Sequence, residues 1–289
     1  MQFLQGDADL EGVDFTEEQR TPEKETWRVR SVVKAMHILE LFSPTQTELS
    51  LAQLSRLMEM PKSTLLNMLK TLESEGYLLH IQETQTYRLG YKALQLGYSI
   101  RSSMPIIQYA IPFMEDLMSK THETVYLTTH VNGQVFYLDG VYNSRRFGKY
   151  SITGKTLPLH CTGCGKSMMS YMTHKEVELI IAKRGLRRFT PNTITEPEEL
   201  FAELERTHER GYAIDTEEET LGVRCVATAI RNTQGKPVGA VSIQGTTMSM
   251  TDERIAECAR LTASVSTILS EHAHLFPAHQ LTGGAVLLG

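Results

Sequence analysis

The sequence predicts an α+β fold, an N-terminal winged helix-turn-helix followed by a C-terminal α/β domain. Three observations carry that reading. Three short helical periodicities and a strand–turn–strand pattern succeed one another within about sixty residues, starting near residue 30. An Asn132-Gly133 pair sits between two strand-like runs, the strongest short-range hairpin cue. Beyond it, helical and extended stretches alternate up to about residue 272, as expected for helices packed on a sheet.

The elements follow in order. Residues 1–27 carry eight acids and two bases, net −6, and few large apolar groups after Phe15. They are expected to form an acidic, flexible tail. In SVVKAMHILELF, Val32, Ala35, Met36, Leu39 and Phe42 recur at helical spacing, and Ser43-Pro44 ends the run. Ser50 is placed to cap a second helix with Leu51, Leu54 and Leu57 or Met58 on one face. Met60-Pro61 forces a turn. A third helix starts near Lys62 or Ser63, turns Leu65, Leu69 and Leu72 inward, and ends at Gly76, a usual C-terminal glycine. Residues 77–81 and 86–90 form a hairpin, the wing, around Gln82-Glu83-Thr84-Gln85. The winged helix-turn-helix is therefore assigned to 28–90, a linker helix to 91–104, the second domain to 105–275 and a loose tail to 276–289.

The second domain opens with a helix from Pro105 to about Lys120. A hairpin over 125–140 comes next, then helices near 165–173, 175–183 and 197–210, with a strand-like GYAI behind the last. Two strands over 224–232 and 236–245 turn at Gln234-Gly235, and a final helix runs from Asp252 to about His272. A hairpin centred there pairs positions summing to about 468. Cys225, Ser242 and Gln244 then fall together on neighbouring strands.

Bulk properties exclude several classes. The chain has 289 residues, 41 % hydrophobic and 22 % charged, the balance of a soluble protein of two ordinary domains. No apolar run reaches membrane-spanning length. The acidic N-terminus is unlike a signal peptide, so no membrane association and a cytoplasmic location are expected. Four cysteines, Cys161, Cys164, Cys225 and Cys258, are too few and scattered for a disulfide framework. The net charge of −5 conceals a block of +3 over residues 28–104, nine bases against six acids. That block weakly favours a polyanionic partner and is equally compatible with ordinary surface charge.

On a wheel at 100° per residue, burying Leu65, Leu69 and Leu72 turns Ser63, Asn67, Lys70 and Ser74 outward. This small, cationic face, with no acid before Glu73, suits a helix in a DNA major groove. Lys62, Ser63, Thr64, Asn67 and Lys70 are the candidate contacts, Asn67 having the geometry to pair with adenine. Periodicity alone equally allows a helical bundle with a solvated polar face.

The stretch LHCTGCGKSMMS, residues 159–170, suggests several chemistries. A phosphate loop would need glycine five residues before Gly165, where His160 stands. Zinc needs four ligands and Cys161/Cys164 supply two, with His160 and Cys225 the nearest further donors. A redox dithiol lacks its βαβ context, and His160 and Cys161, as loop neighbours, lack a third catalytic group. A binding loop that opens a helix remains, its free N–H groups turned toward an anion such as a carboxylate. Arg146 and Lys149 could add charge for such a ligand, although solvated surface is their simpler reading. Asp215 could accept a ligand hydroxyl or anchor its own loop. Glu217, Glu218 and Glu219 read as loop anchors and exposed charge rather than a metal site.

These pieces resemble one family. RSVVKAMHILELF, LSLAQLSRLMEMPKSTLLNMLKTLESEGYL and YRLG are similar to the N-terminal domain of the IclR family of bacterial transcription regulators. LPLHCTGCGKSMMSY, RGLRRFTPNTIT, RGYAIDTEEETLGVRCVATAI and GAVSIQG resemble its C-terminal blocks, in order, the match covering about residues 29–275. One departure is Asn67, where the family commonly has arginine; it implies a different operator, not loss of DNA binding. The resemblance implies a C-terminal α/β effector-binding, GAF-like domain and no enzymatic activity or cofactor. It implies a dimer or dimer of dimers on double-stranded operator DNA, repressing a catabolic operon under control of a small, carboxylate effector. Gly163, Cys164, Asp215, Cys225, Ser242 and Gln244 are the effector-binding positions it implies. The alternative is a thiol- or metal-sensing regulator switched by Cys161 and Cys164.

Overall fold

A computed structural model describes residues 28–43, 45–142 and 152–276. The sequence-based assignments to the N-terminal tail, to Pro44, to Arg146 and Lys149, and to the C-terminal tail beyond residue 276 lie outside these. The chain divides into two units, Met1–Leu94 and Gln95–Gly289.

The first unit contains α1 (Arg30–Glu40), β1 (Leu49–Ser50), α2 (Leu51–Leu57), α3 (Lys62–Ser74), β2 (Leu78–Ile81) and β3 (Thr86–Leu89). Ser50 caps α2 as its sequence suggests. Its Oγ accepts from the Gln53 N–H at 3.3 Å, and the Gln53 side chain accepts from the Ser50 N–H at 2.9 Å, a reciprocal capping box. α3 ends in a Schellman arrangement. Tyr77 N–H reaches the Leu72 carbonyl at 2.8 Å and Gly76 N–H that of Glu73 at 2.9 Å, with Gly76 at φ +78°. Ile38, Leu49, Leu54, Leu65, Leu69, Leu72 and Leu78 share one small core. β1 is an addition to the sequence reading: two residues pairing with β3 complete a three-stranded wing ordered β1-β3-β2. So short a strand leaves no periodicity to detect.

α4 (Tyr91–Ser102) carries the unit boundary and buries none of its residues. The second unit continues with α5 (Pro105–Thr121), β4 (Thr124–Val131), β5 (Gln134–Val141), β6 (Thr156–Pro158), α6 (Gly163–Met169), α7 (His174–Arg184) and α8 (Pro197–Arg210). It ends with β7 (Ala213–Thr216), β8 (Val223–Arg231), β9 (Pro237–Thr246), α9 (Asp252–Glu271) and a short 3-10 helix (Ala273–Leu275). Six strands form one antiparallel sheet, ordered β6-β5-β4-β9-β8-β7. The turn residues Asn132 and Gly133 adopt φ +52° and +75°, as a tight hairpin of that composition requires.

Strand alternation divides the core. Val125, Leu127, Val226, Val241 and Ile243 pack with α5 and α9. Tyr126, Tyr137, Ala227 and Ala240 face the other way, toward Cys164 and Met168 of α6 and Leu200 and Leu204 of α8. Alanines beneath α6 let that helix lie close to the sheet. α6 itself starts two residues earlier than its sequence suggests. Thr162 is its N-cap, accepting from Gly165 N–H at 3.1 Å, so Gly163 and Cys164 belong to the first turn rather than to a preceding loop.

Candidate binding sites

On α3, the buried stripe is Leu65, Leu69 and Leu72, and Lys62, Ser63, Thr64, Asn67 and Lys70 are all exposed. Glu73 and Glu75 lie at the C-terminal end. Over its first nine residues the helix therefore offers solvent a polar face with two lysines and no carboxylate. Among the described residues Lys62 and Lys70 enter no ion pair.

The six candidate residues of the second unit converge. Cys225 pairs with Gln244, Ala227 with Ser242 and Asp215 with Cys225. The register sum is 469, one more than the turn position suggested. That single residue matters, because a slip of one places side chains on opposite faces. In the observed register Asp215, Cys225, Ser242 and Gln244 share the face that meets α6. Gly163 lies against it. A Cβ there would come within 2.7 Å of Cys225 Sγ and 3.4 Å of Ala227 Cβ. Gly165 is tighter still, since a Cβ would lie 2.1 Å from the Leu159 carbonyl oxygen. Both glycines are required by close approach. Gln244 alone among the six is only half-buried.

Asp215 is 6 % exposed and anchors its own loop: Oδ1 accepts from the Glu218 N–H at 2.9 Å, and Oδ2 lies 3.8 Å from Cys225 Sγ–H. Burial, then the Glu218 charge, pushes its pKa up to about 7, while the Glu218 N–H and Lys166 pull the other way. Near neutrality Asp215 is therefore divided between a neutral donor and a charged acceptor.

A buried ionic group stands beside these residues and was missed by sequence reasoning. Lys166 is 1 % exposed. Its Nζ pairs with Glu218 Oε1 and lies 3.8 Å from Glu203 Oε1. Glu203 is also held by Arg210 Nη2 at 2.7 Å and Arg206 Nη2 at 3.0 Å. Burial alone would raise the Glu203 pKa, but Lys166 and Arg210 overcome it and hold the carboxyl below its usual range. This corrects the reading of Glu218 as exposed charge: it is buried because Lys166 is buried opposite it. Glu217 does anchor the loop, accepting from Gly222 N–H at 2.6 Å. Thr193 Oγ1 and Thr190 Oγ1 donate to the Glu218 and Glu217 carbonyls, both at 2.6 Å. One signal for Lys166 was present in the sequence, a lone lysine in an otherwise small and apolar helix. Its two partners lie 37 and 52 residues away (203 − 166 and 218 − 166), beyond any local pattern.

The thiols do not favour metal or redox chemistry. All four cysteines are free and buried. Burial raises the pKa of Cys161, Cys164 and Cys225, so each is held as a thiol, the poorer ligand and nucleophile. The Gly163 N–H turned toward Cys225 opposes that rise without reversing it. His160 Nε2 contacts the Arg187 carbonyl at 3.0 Å, and burial lowers its pKa. Among the described residues no group of three His, Cys, Asp or Glu side chains could hold a metal ion. None of the described helices is long and apolar enough to cross a membrane.

Comparison with known proteins agrees with this geometry in both units. Residues 31–80 match the IclR helix-turn-helix domain, and residues 99–270 match the C-terminal domain of the bacterial transcriptional regulator IclR. The HTH-type transcriptional regulator XynR of Escherichia coli K12 is 35 % identical over 233 residues, covering 79 % of this chain and 90 % of the relative. The acetate operon repressor of Salmonella typhimurium LT2 is 29 % identical, covering 80 % of this chain and 85 % of its own. The crystal structure of the Thermotoga maritima IclR superposes with a TM-score of 0.70 at 29 % identity, covering 85 % of this chain and 99 % of that one. These families and relatives are transcriptional regulators, not enzymes.

Proposed function

The chain belongs to the IclR family of bacterial DNA-binding transcriptional regulators, and from that premise we propose that it represses a catabolic operon under the control of a small carboxylate effector. On this reading the exposed face of α3 enters the major groove. Asn67 reads a base edge, and Lys62, Ser63, Thr64 and Lys70 hold phosphates or flanking bases. The effector lies beside the N-terminal turn of α6, against the adjoining β7–β8–β9 strands.

The observation that carries the effector assignment is the convergence, from two α6 positions and three strands, of Gly163, Cys164, Asp215, Cys225, Ser242 and Gln244. Their chemistry suits a carboxylate. Helix N–H groups favour an anion. A buried Asp215 with pKa about 7 can donate a hydrogen bond to one when neutral, whereas an ionised carboxylate would repel it. Ser242 and Gln244 add neutral donors. The effector controls DNA binding only by preferring one arrangement of the protein over another.

Self-association completes the proposal. Tyr91, Leu94 and Tyr98 recur at three and four along α4, and all three are at least 68 % exposed. A helix with no buried residue gains little stability alone, and such an apolar stripe fits a second copy of the chain. A two-fold dimer, or a dimer of dimers, would match a near-palindromic operator. A cytoplasmic location accords with a DNA partner.

The test is selection of genomic fragments by the purified protein, then binding curves at several salt concentrations with and without a panel of small carboxylates. The expected result is a discrete near-palindromic site with a steep salt slope. One or more carboxylates should shift that curve, with an effector affinity that weakens as pH rises through about 7. Binding that is weak and sequence-blind under every condition would overturn the operator assignment; a specific site indifferent to every carboxylate would overturn the effector assignment alone.

A further inference from the structure

We propose that the acidic segment 1–27 docks on the cationic face of α3 and competes there with DNA, so that the chain carries an internal polyanion opposite its own recognition helix. The inference rests on the reading of α3 as the DNA-contacting helix and adds a second, intramolecular occupant.

Charge complementarity is the first argument. Residues 1–27 hold eight acids and two bases, and no base precedes Arg20. Six of the acids, Asp7, Asp9, Glu11, Asp14, Glu17 and Glu18, fall within residues 7–18. The block 28–104 is oppositely charged, with nine bases and six acids. Apart from the exposed Glu59 in the turn before the helix, its acids lie outside the first nine residues of α3, where Lys62 and Lys70 are exposed beside Ser63, Thr64 and Asn67. Arg56 in the last turn of α2 is exposed as well. Among the described residues none of these three cations enters an ion pair. A face built to receive phosphates is equally able to receive carboxylates.

The second argument is tethering. The segment ends where α1 begins, and Ile38 of α1 shares one core with Leu65, Leu69 and Leu72 of α3. A unit of roughly 65 residues has a radius of gyration of about 11 Å, whereas 27 residues can span up to about 90 Å. The segment therefore reaches α3 of its own chain, at an effective concentration on the order of millimolar. An intrinsic docking constant on the order of 0.1 mM would then mask the face about tenfold. Masking of the free protein lowers affinity for every duplex by the same factor. It reduces occupancy of the large excess of non-specific sites, and it fades as salt screens the contacts.

The experiment compares three proteins with a random-sequence duplex by fluorescence anisotropy at about 50 and about 200 mM salt, a range over which phosphate contacts weaken strongly. They are the full chain, a chain lacking residues 1–27, and a full-length variant with Asp7→Asn, Asp9→Asn, Glu11→Gln, Asp14→Asn, Glu17→Gln and Glu18→Gln. Thermal melts establish that all three are equally folded. The expected result is about tenfold tighter binding by both altered proteins at the lower salt, with the gap closing at the higher. Without DNA, the amide resonances of residues 63–70 should shift when the acids are removed. Equal affinities of the three proteins would overturn the inference. So would an affinity gap without any change at α3, which would mean long-range repulsion rather than docking. If no form bound any duplex, the assignment of α3 itself would fall, and this inference with it.

Discussion

α3 and α6 both present an N-terminal turn to a proposed ligand, yet they are built in opposite ways. α3 buries three of its thirteen residues and keeps its polar groups in water; α6 buries all seven, including a lysine. The first is a surface helix whose side chains can change without disturbing the fold. The second is a wedge between a sheet and a loop, where each position answers to a partner far away in sequence. On the proposed roles, a DNA-reading face can be tuned at little cost in stability, whereas a buried effector site ties recognition to folding.

The sharpest way to break that contrast is to remove matching lysines. Lys166→Met leaves Glu218 and Glu203 without their shared buried cation and should cost about 3–5 kcal/mol of stability. Lys70→Met should change stability by no more than about 0.5 kcal/mol. Urea unfolding of both variants measures the difference, and similar losses would mean that α6 is not the more demanding helix. Lys166→Arg should not restore full stability, because the larger, planar guanidinium must fit a buried site shaped around an ammonium group.

Asp215 adds a pH dimension. Its folded pKa, about 7, lies above the value of 3.8 for a solvated aspartate. Between those values the native state holds more protons than the unfolded state, so stability falls as pH rises from about 4 to about 7 and is level above. Asp215→Asn keeps an acceptor for the Glu218 N–H and should abolish this slope. Near pH 8 the variant should be the more stable protein by up to about 4 kcal/mol, on the order implied by a shift of three pKa units. Melts from pH 4 to 8 decide this, and parallel profiles for the two proteins would show that Asp215 does not titrate in that window.

Packing gives a smaller contrast. Gly165→Ala forces a methyl toward the Leu159 carbonyl and should destabilise by about 1–3 kcal/mol. Thr71→Ala, on the exposed side of α3, should lie within about 0.5 kcal/mol of the parent. Denaturant midpoints compare them, and an unperturbed Gly165→Ala protein would argue against the close seat of α6.

The subtlest effect belongs to Asn67. Asn67→Ala should leave stability unchanged within about 0.5 kcal/mol while discrimination at one operator position falls by about 1–3 kcal/mol. Lys70→Ala should weaken binding to all sequences alike and lower the salt slope by about 1. Binding curves on the selected operator and its single-base variants separate the two roles; a uniform loss from Asn67→Ala would make it a phosphate contact instead.

What the sequence determined by itself was whatever repeats at short range. The inward stripe Leu65, Leu69 and Leu72 follows from helical period, the Ser50 cap from residue type and place, and the Asn132-Gly133 hairpin from positive φ at two residues. Each is settled within a few residues, so composition and spacing suffice. Tertiary structure decided what depends on distant partners. The sheet register placed Asp215, Cys225, Ser242 and Gln244 on one face, and a change of one residue would have divided them. Thr162, rather than a residue after the glycines, opened α6 because Gly163 and Gly165 fit against Cys225 and Leu159. Lys166 became a buried cation only because Glu203 and Glu218 arrive from other elements to neutralise it. Burial of charge is allowed only in pairs, and the pairing of groups so far apart exists only once the chain has folded.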